Sequence, residues 1–395
     1  MRPIGAHPFF PYSRSACGRA SAECGEGHAP LFFASGSSGG TIDGAGDGRV
    51  ASWSKGEIVL PNGETASAQM PVIVSASRST DVPAFYADWF MERLREGYVK
   101  WFNPFNGVPL HVSFKKARLF VFWSKNPKPM LEHLDELDRI CPNYYFQYTL
   151  NDYFAEGIEP RVPNVEDRVE TFLRLSERIG RDRVVWRFDP LILTDRLDVQ
   201  ALLGKIERLG DRIAPHAARL VFSFIDIGAY KKVAGNLEHG GVKAREFSQD
   251  EMLQLAEGIG RLVKGWGIPA GTCAESIPLE QFGIEHNRCI DDRLMVKCFP
   301  LDAELMKFIG ARHVSGDMFA ADESKRYDHW EPADVSKKDA GQRAACGCIM
   351  AKDIGEYNTC PHLCHYCYAN TSNATALANW NRHRECPHAA TITGK

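Results

Sequence analysis

From about residue 71 onward, short runs of β-branched and aromatic residues alternate with longer amphipathic segments. Each short run ends in polar residues, which is typical of a buried strand that leads into a loop. The predicted strands are Val72–Ser77, Leu119–Trp123, Tyr144–Thr149, Val184–Asp189, Leu220–Asp226 and, more weakly, Ile268–Cys273. The amphipathic segments predict helices near residues 84–97, 128–139, 163–179, 197–212 and 248–266.

This alternation predicts an α/β fold, because a helix between two strands returns the chain to lay them parallel with a right-handed crossover. Six such units suggest either a partial (β/α)6 barrel of the TIM type or an open doubly wound sheet. We favour the partial barrel, since polar residues collect at the C-terminal ends of the strands, where (β/α) barrels place their active sites. We expect this core at residues 69–300 and a C-terminal segment that carries cysteine loops at residues 301–370.

The two ends of the chain lack this alternation. Residues 1–68 are rich in glycine, serine and alanine and keep no helix or strand period, which predicts a disordered or flexible leader. Residues 371–395 are polar, and we expect a flexible tail there.

Charge and cysteine usage narrow the class of protein. The 395 residues carry a formal net charge of −3, so no global field draws nucleic acid or a membrane surface. No apolar run is long enough to cross a bilayer, and the stretch after Met1 lacks the apolar core of a signal peptide. The 12 cysteines are clustered, which favours metal binding in a reducing cytoplasm over disulfides.

The densest chemical signal is the spacing Cys360-x-x-x-Cys364-x-x-Cys367. Three thiolates at this spacing can hold three irons of a cubic [4Fe–4S] cluster from one loop, which leaves the fourth iron without a protein ligand. An open iron is a place for chemistry, whereas a fully ligated cluster mainly stores or passes electrons. The alternative is a tetrahedral zinc site that uses the nearby His362 and His365.

A second set of cysteines is spread more widely. Cys273 ends the sixth predicted strand, Cys289 lies sixteen residues later, and Cys346 and Cys348 flank a glycine. Four thiols is the number that closes a second [4Fe–4S] cluster or a structural zinc site. The other interpretation of Cys273 and Cys289 is that they are small buried apolar residues, as most free cysteines are.

The run Cys360–Tyr368, with Tyr366 at an aromatic position before the last cysteine, resembles the cluster loop of the radical S-adenosylmethionine superfamily. The resemblance implies a partial (β/α)6 barrel, a [4Fe–4S] cluster, S-adenosylmethionine bound at its open iron, and an external reductant such as a flavodoxin or ferredoxin. It also implies that a 5′-deoxyadenosyl radical removes a hydrogen atom from a small-molecule or macromolecular substrate, which the sequence does not identify.

This chain departs from the superfamily in two ways. There, the cluster loop usually follows the first strand, whereas here it follows the sixth unit. The placement predicts either a circularly permuted barrel or a tail that folds back over the barrel mouth. The Gly-Gly-Glu stretch that the superfamily uses for the methionine amino group is also absent at its expected place.

A wider resemblance covers most of the chain from about Pro71 to Asn370. These residues resemble a bacterial family called domain of unknown function 1848, and the family implies no substrate. The likeness rests on residues 75–81, 122–127, 186–190, 272–275, 283–286 and 346–370.

Polar residues at the strand ends are the other candidates for the site. As catalytic residues we expect Arg187, Asp189 and Glu275, and as cofactor-binding residues Tyr366, Arg78, Lys125 and Asp226, with Gln147 also facing inward. A cationic side chain, Arg187 or Lys125, suits the methionine carboxylate, while a carboxylate suits the amino group or the ribose hydroxyls. Each of these residues could equally cap a strand or begin a helix.

Two other functions stay open at this point. One is a zinc- or iron–sulfur-stabilised binding module without turnover. The other is a nucleic-acid repair or modification enzyme, because the loop Cys364–Tyr368 is also similar to that of spore photoproduct lyase. That function needs a basic groove with stacked aromatic residues, and arginine, tyrosine and tryptophan do not cluster along this sequence. We expect no membrane partner.

Overall fold

Strands and helices alternate through most of the computed structural model, which describes residues 53–318, 326–334, 337–339 and 341–395. Its strands are β1 (Lys55–Val59), β2 (Thr65–Gln69), β3 (Ile73–Ala76), β4 (Tyr98–Phe102), β5 (Pro109–Ser113), β6 (Leu119–Ser124), β7 (Tyr144–Thr149), β8 (Val184–Leu191), β9 (Leu193–Thr194), β10 (Leu220–Phe224), β11 (Ala244–Arg245), β12 (Ala270–Thr272), β13 (Ile284–His286), β14 (Arg312–Val314), β15 (His329–Glu331) and β16 (Lys352–Asp353).

The helices fill the spaces between these strands. They are α1 (Val82–Phe85), α2 (Ala87–Glu96), α3 (Lys128–Leu131), α4 (Leu134–Ile140), α5 (Val165–Ile179), α6 (Val199–Ile213), α7 (Lys231–His239), α8 (Gln249–Trp266), α9 (Asp292–Cys298), α10 (Ala303–Ile309) and α11 (Asn373–Glu385). None of the helices in the described part of the chain has both the length and the apolar character that crossing a membrane requires.

Eight strands form one sheet in the order β16-β3-β6-β7-β8-β10-β12-β13, and every neighbouring pair is parallel. The six strands predicted from the sequence are β3, β6, β7, β8, β10 and β12, so the α/β class is confirmed. Within the described residues the edge strands β13 and β16 do not pair with each other. The sheet is therefore open, and no barrel closure is seen.

The two faces of the sheet bury different sets of side chains. Phe120 and Phe122 of β6 belong to the larger cluster, which also contains the apolar residues of α2, α5, α6 and α8. Leu119 and Val121, which alternate with them, pack in a second cluster with residues of α9 and α10. Strands that are covered on both faces lack the alternation of polar and apolar residues that an exposed sheet shows. Their sequences are therefore continuous apolar runs.

The edge strand β16 comes from the far end of the chain. Lys352 pairs with Val74, and Asp353 pairs with Ser75, in parallel register with β3. Strands of two or three residues, such as β16 and β13, are too short to show a period in the sequence. Consequently the segment that carries the C-terminal cysteines starts beside the first predicted strand.

The long helices begin where the sequence supplies capping side chains. Ser248 and Glu251 form a reciprocal capping box at the start of α8, and Asn164 and Asp198 cap α5 and α6 with their side-chain oxygens. Such caps satisfy backbone N–H groups that have no partner within the helix. The helices that flank the sheet thus start at fixed positions after the strands that precede them.

A smaller four-stranded sheet, in the order β1-β2-β5-β4, was not predicted from the sequence. Its hairpin β1–β2 lies within residues 55–69, with antiparallel pairing from Lys55 opposite Gln69 to Val59 opposite Thr65. Residues 53–68 of the expected flexible leader are therefore folded. Residues 1–52 of that leader lie outside the described residues.

The C-terminal residues also differ from the flexible tail that their polar composition predicted. Helix α11 occupies half of this segment, and Thr391, Ile392 and Thr393 are buried. The backbone carbonyl of Ala390 accepts a hydrogen bond from the Lys100 amide at 2.8 Å. Composition missed this packing because backbone groups supply much of the contact.

Lys352 lies in β16, an edge strand of the eight-stranded sheet, and offers a test of how burial affects stability at that edge. It is 8% exposed, and its Nζ lies 3.3 Å from the centroid of the Trp101 ring. Burial lowers the pKa of Lys352 from 10.5 to about 8, against the opposing pull of Asp353. Below pH 8 the folded state therefore carries the full cost of a buried ammonium, about 3 kcal/mol for this shift. Stability rises with pH between about 8 and 10.5.

We expect the substitution Lys352→Met to increase the free energy of unfolding at pH 7 by about 1–2 kcal/mol, because the cation–π attraction that is also lost is worth about 1–2 kcal/mol. The gain should shrink above pH 8. Urea unfolding at pH 7 and pH 9.5 measures both effects. Lys243→Met, at a side chain that is 81% exposed, makes the same charge change and should leave stability within about 0.5 kcal/mol. A destabilised Lys352→Met protein would contradict the prediction.

Candidate functional site

A cavity of about 470 Å³ lies at the C-terminal ends of the sheet strands. Parallel strands end at a common edge of their sheet, so polar residues that are distant in sequence meet there. With the exceptions of Gln147 and His365, every candidate named from the sequence lines this cavity: Arg78, Lys125, Arg187, Asp189, Asp226, Cys273, Glu275, Cys289, Cys346, Cys348, Cys360, His362, Cys364, Tyr366 and Cys367.

The loop of Cys360, Cys364 and Cys367 follows β16 and is held by hydrogen bonds to its backbone. The side-chain amide of Asn370 donates to the Cys360 carbonyl at 2.8 Å, and that of Asn236 in α7 donates to the Cys367 carbonyl at 2.8 Å. The Cys367 amide closes a turn on the Cys364 carbonyl at 3.1 Å. All three thiols line the cavity, Cys364 buried and the other two half-buried.

Burial raises the pKa of all three loop thiols. A buried thiol ionises only when a positive charge stabilises the thiolate, and a bound metal supplies that charge directly. Among the described residues, however, no three side chains of His, Cys, Asp or Glu surround a single metal-ion position. A cubic cluster does not need such a position, since each of its cysteines bonds a different iron.

His362, in the same loop, contacts protein rather than the cavity centre. It is 2% exposed, and its Nε2 lies 2.9 Å from Oδ2 of Asp81. Asp81 also accepts the Lys125 amide at 2.7 Å and caps α1 through the amide of Ala84 at 3.0 Å. His362 therefore ties the cysteine loop to the ends of β3 and β6.

Tyr366 belongs to a buried polar network. Its hydroxyl donates to the carboxylate of Glu159 and accepts from Nζ of Lys125 at 2.6 Å and from the Asn151 amide at 3.1 Å. Lys125 Nζ also contacts Glu159 at 2.8 Å, and Arg168 lies 3.9 Å from the other Glu159 oxygen. The cations of Lys125 and Arg168 thus share one carboxylate, that of Glu159, next to the cysteine loop.

The carboxylate of Asp353, in β16, holds the C-terminal end of β3 and the turn that follows it. It accepts hydrogen bonds from the hydroxyls of Ser75 and Ser77, each at 2.8 Å, from the Arg78 amide at 2.8 Å and from the Gly355 amide at 2.9 Å. The carboxylate therefore joins the turn after β3 to the segment that leads into the cysteine loop. The guanidinium of Arg78 lies 5.6 Å from the Trp123 ring, on the cavity wall.

Arg187 and Asp189 of β8 form an ion pair in the cavity wall. Arg187 is 4% exposed, and its Nη1 donates to Gln147 at 3.2 Å and to Sγ of Cys289 at 2.9 Å. Asp189 also accepts from the Ser223 hydroxyl. Gln147 does not line the cavity itself but bonds two residues that do, the guanidinium of Arg187 and, at 2.9 Å, the backbone carbonyl of Cys289. The guanidinium of Arg187 is already paired within the protein.

The two remaining carboxylates lie after β10 and β12. Glu275 accepts the Phe224 amide at 2.9 Å, and burial raises the pKa of Glu275. Asp226 accepts the Ala229 amide at 3.1 Å, so it caps its own turn while it lines the cavity.

The more widely spaced cysteines also meet in the cavity wall. Sγ of Cys273 lies 3.6 Å from Sγ of Cys289. Sγ of Cys348 accepts the backbone amides of Cys289 and Ile290 at 3.2 and 3.4 Å. Cys346 and Cys348 are 8% and 3% exposed. The fold therefore collects seven cysteines around one cavity.

The family model described as Domain of unknown function (DUF1848) matches residues 73–369, which are most of the described chain. The protein belongs to the DUF1848 family. The match begins in β3 and ends just after the cysteine loop, so it includes the whole eight-stranded sheet and both groups of cysteines. No curated protein and no solved structure matches the chain.

Three residues important to this DUF1848 site were missed from the sequence. Glu159 and Asn151 lie in irregular segments between β7 and α5, where no period points to them. Asp353 did give a signal, because Asp353-Ile354-Gly355-Glu356-Tyr357 echoes the segment 226–230 that follows a predicted strand. At both places the echo indicates a turn with a helix start, so it assigned Asp353 no role in the site.

Proposed function

We propose that this DUF1848 protein is an iron–sulfur enzyme of the radical S-adenosylmethionine type, in which Cys360, Cys364 and Cys367 hold a [4Fe–4S] cluster. One observation carries the proposal: three thiols from a single tight loop line a cavity that also holds charged side chains, at the C-terminal edge of a parallel sheet. That edge is where α/β folds place their active sites.

The order of the strands supports a circularly permuted partial (β/α) barrel. The cysteine loop follows β16, and the neighbour of β16 in the sheet is β3, the first strand of the parallel series. In space the loop therefore follows the outermost strand beside β3, although in the chain it comes last. This placement matches a loop that follows the first strand better than a tail folded over the mouth.

The residues around the loop fit the proposed cluster. Three thiols bond three irons and leave one iron for a ligand with amino and carboxylate groups. When bound together with S-adenosylmethionine, the cluster would supply a 5′-deoxyadenosyl radical for hydrogen abstraction. The chain's own residues would bind and orient the reactants and exclude water from the cavity.

The contacts suggest which polar residues bind the carboxylate and the amino group of S-adenosylmethionine. Arg187 and Lys125 are already paired with Asp189 and Glu159, so they serve better as fixed positive charges in the wall. Arg78 is the better candidate for the methionine carboxylate, because its guanidinium lies beside Trp123 on the cavity wall. Glu275 is our candidate for the amino group, since only one of its carboxylate oxygens contacts the Phe224 amide.

Anaerobic reconstitution with iron and sulfide tests the proposal. We expect broad absorbance near ~400 nm from the cluster and release of 5′-deoxyadenosine when the protein is reduced in the presence of S-adenosylmethionine. The triple variant Cys360→Ala/Cys364→Ala/Cys367→Ala should release none above background. Cys386→Ala, at an exposed cysteine that does not line the cavity, should behave as the wild type.

The outcomes separate the alternatives. Zinc in place of iron at the loop, or release of 5′-deoxyadenosine that is equal in the triple variant, would overturn the proposal. Iron that is held by the loop without any 5′-deoxyadenosine would instead favour a binding module without turnover.

A further inference from the structure

We propose that Cys273, Cys289, Cys346 and Cys348 form a second metal centre, a closed site of four thiolates for a thiophilic metal. The site would take either a second [4Fe–4S] cluster or a zinc ion, which share this ligand chemistry. It does not depend on the function proposed for the loop of Cys360, Cys364 and Cys367. Because all its ligands come from the protein, it would stabilise the cavity wall or pass electrons and would not bind substrate.

The fold brings these thiols together from distant parts of the chain. Cys273 follows β12, Cys289 follows β13, and their Sγ atoms are 3.6 Å apart. Cys348, 59 residues further along, has its Sγ 3.2 Å from the Cys289 amide. In a tetrahedral site with Zn–S bonds of about 2.3 Å, sulfur atoms lie about 3.8 Å apart. The Cys273–Cys289 contact is therefore at the spacing of two ligands on one metal.

The turn between Cys346 and Cys348 packs tightly against the residues just before Cys289. A Cβ atom at Gly347 would lie 2.9 Å from Cγ of Arg288, the residue before Cys289. Only glycine fits there without a shift of its neighbour. The close approach of this turn to residues 287–289 is what places Cys348 beside Cys289.

Hydrogen-bond donors surround the sulfur atoms. Cys348 Sγ accepts the backbone amides of Cys289 and Ile290, and Cys289 Sγ accepts from Arg187 at 2.9 Å and from the Asn287 side chain at 3.5 Å. Donors of this kind stabilise thiolates and tune metal–thiolate centres. Cysteines that only fill an apolar core need no such donors.

Closing the site requires a small rearrangement. Among the described residues no three of these side chains yet surround one metal-ion position. Cys346 and Cys348 lie outside helices and strands, and closing the site would turn their side chains toward Cys273 and Cys289. Arg187 contacts both Cys289 and Asp189. A metal bound here would therefore also fix the ion pair in the wall of the cavity.

The test uses the full chain without the loop thiols, the triple variant Cys360→Ala/Cys364→Ala/Cys367→Ala, purified without air. Its metal and sulfide content is measured as isolated, after reconstitution with iron and sulfide, and after incubation with zinc alone. We expect it to keep one zinc, or about four irons with a matching amount of sulfide. Adding Cys346→Ala/Cys348→Ala should remove that metal, whereas adding Cys141→Ala, at a buried cysteine that does not line the cavity, should not.

A triple variant that holds no metal under any of these conditions would overturn the inference, as would metal that survives Cys346→Ala/Cys348→Ala. If these variants fail to fold, alkylation of the wild-type protein tests the four-cysteine site instead. Cys273, Cys289, Cys346 and Cys348 should be protected from iodoacetamide in the isolated protein and become reactive together after chelation. Reactivity that chelation does not change would reject the site. Loss of 5′-deoxyadenosine release has no bearing on either result.

Discussion

Asp353→Ala should destabilise the protein by about 3–5 kcal/mol and lower the iron content of the cluster proposed at the cysteine loop. The carboxylate accepts hydrogen bonds from the hydroxyls of Ser75, Ser77 and Ser79 and from the Arg78 amide, which link β16 to β3 and the turn that follows it. It also accepts the Gly355 amide of its own segment. Hydrogen bonds to a charged group contribute about 1.5–3 kcal/mol each, and donors left without a partner add a desolvation cost. Urea unfolding and iron analysis after anaerobic reconstitution measure the two effects.

Two further variants make this result specific to Asp353. Asp353→Asn keeps one acceptor oxygen and should lose only about half as much stability. Asp195→Ala, at a carboxylate whose side chain is 52% exposed, should change neither stability nor iron content. If Asp353→Ala unfolds at the same urea concentration as Asp195→Ala, the carboxylate does not hold the two strands together.

Glu159→Gln should destabilise the protein by a comparable amount, because it removes a buried negative charge. Glu159 is 6% exposed and is paired with Lys125 at 2.8 Å, with Arg168 at 3.9 Å. Removing its charge leaves buried cations without their carboxylate, which typically costs about 3–5 kcal/mol. The loss should be seen as a lower free energy of unfolding at pH 7. Glu257→Gln, at a carboxylate with a 56% exposed side chain, is the matched control.

The contacts of Glu159 with Lys125 and Arg168 also predict how the stability of the protein depends on pH. Burial alone would raise the pKa of Glu159, but Lys125 and Arg168 together lower it from 4.5 to about 2. A carboxyl group whose pKa is lower in the folded state stabilises the fold fully above pH 4.5, and this stabilisation is lost as the pH falls toward 2. Wild-type stability should therefore decline over this range more steeply than that of Glu159→Gln. Parallel slopes for the two proteins would show that folding does not lower the pKa of Glu159.

The strands of the sheet could be predicted from the sequence where they are long and buried on both faces. β6, β7 and β8 have apolar runs that a pattern reveals, whereas β13 and β16 are too short for any period. The position of α9 and α10 on the second face depends on tertiary packing, and no local pattern distinguishes it from a barrel interior. The open sheet was therefore beyond what the sequence could decide.

The candidate site could be predicted further than the fold, because cysteine spacing and strand-end polarity are local signals. The roles of individual residues could not. Arg187 was a candidate for a cofactor carboxylate, and only its contacts with Asp189 and Cys289 show that its charge is already used. Glu159 gave no signal, since its importance comes from two cations that reach it from other parts of the chain.

The pairing of β16 with β3 has a consequence for biogenesis. Ser75 and its partner Asp353 are 278 residues apart, so the ribosome must translate β16 before this edge can form. Contacts of such long range also form slowly. The proposed cluster should accordingly be inserted only after this edge has formed. A product that terminates before β16 would expose β3 as an unpaired strand and become a substrate for aggregation or proteolysis.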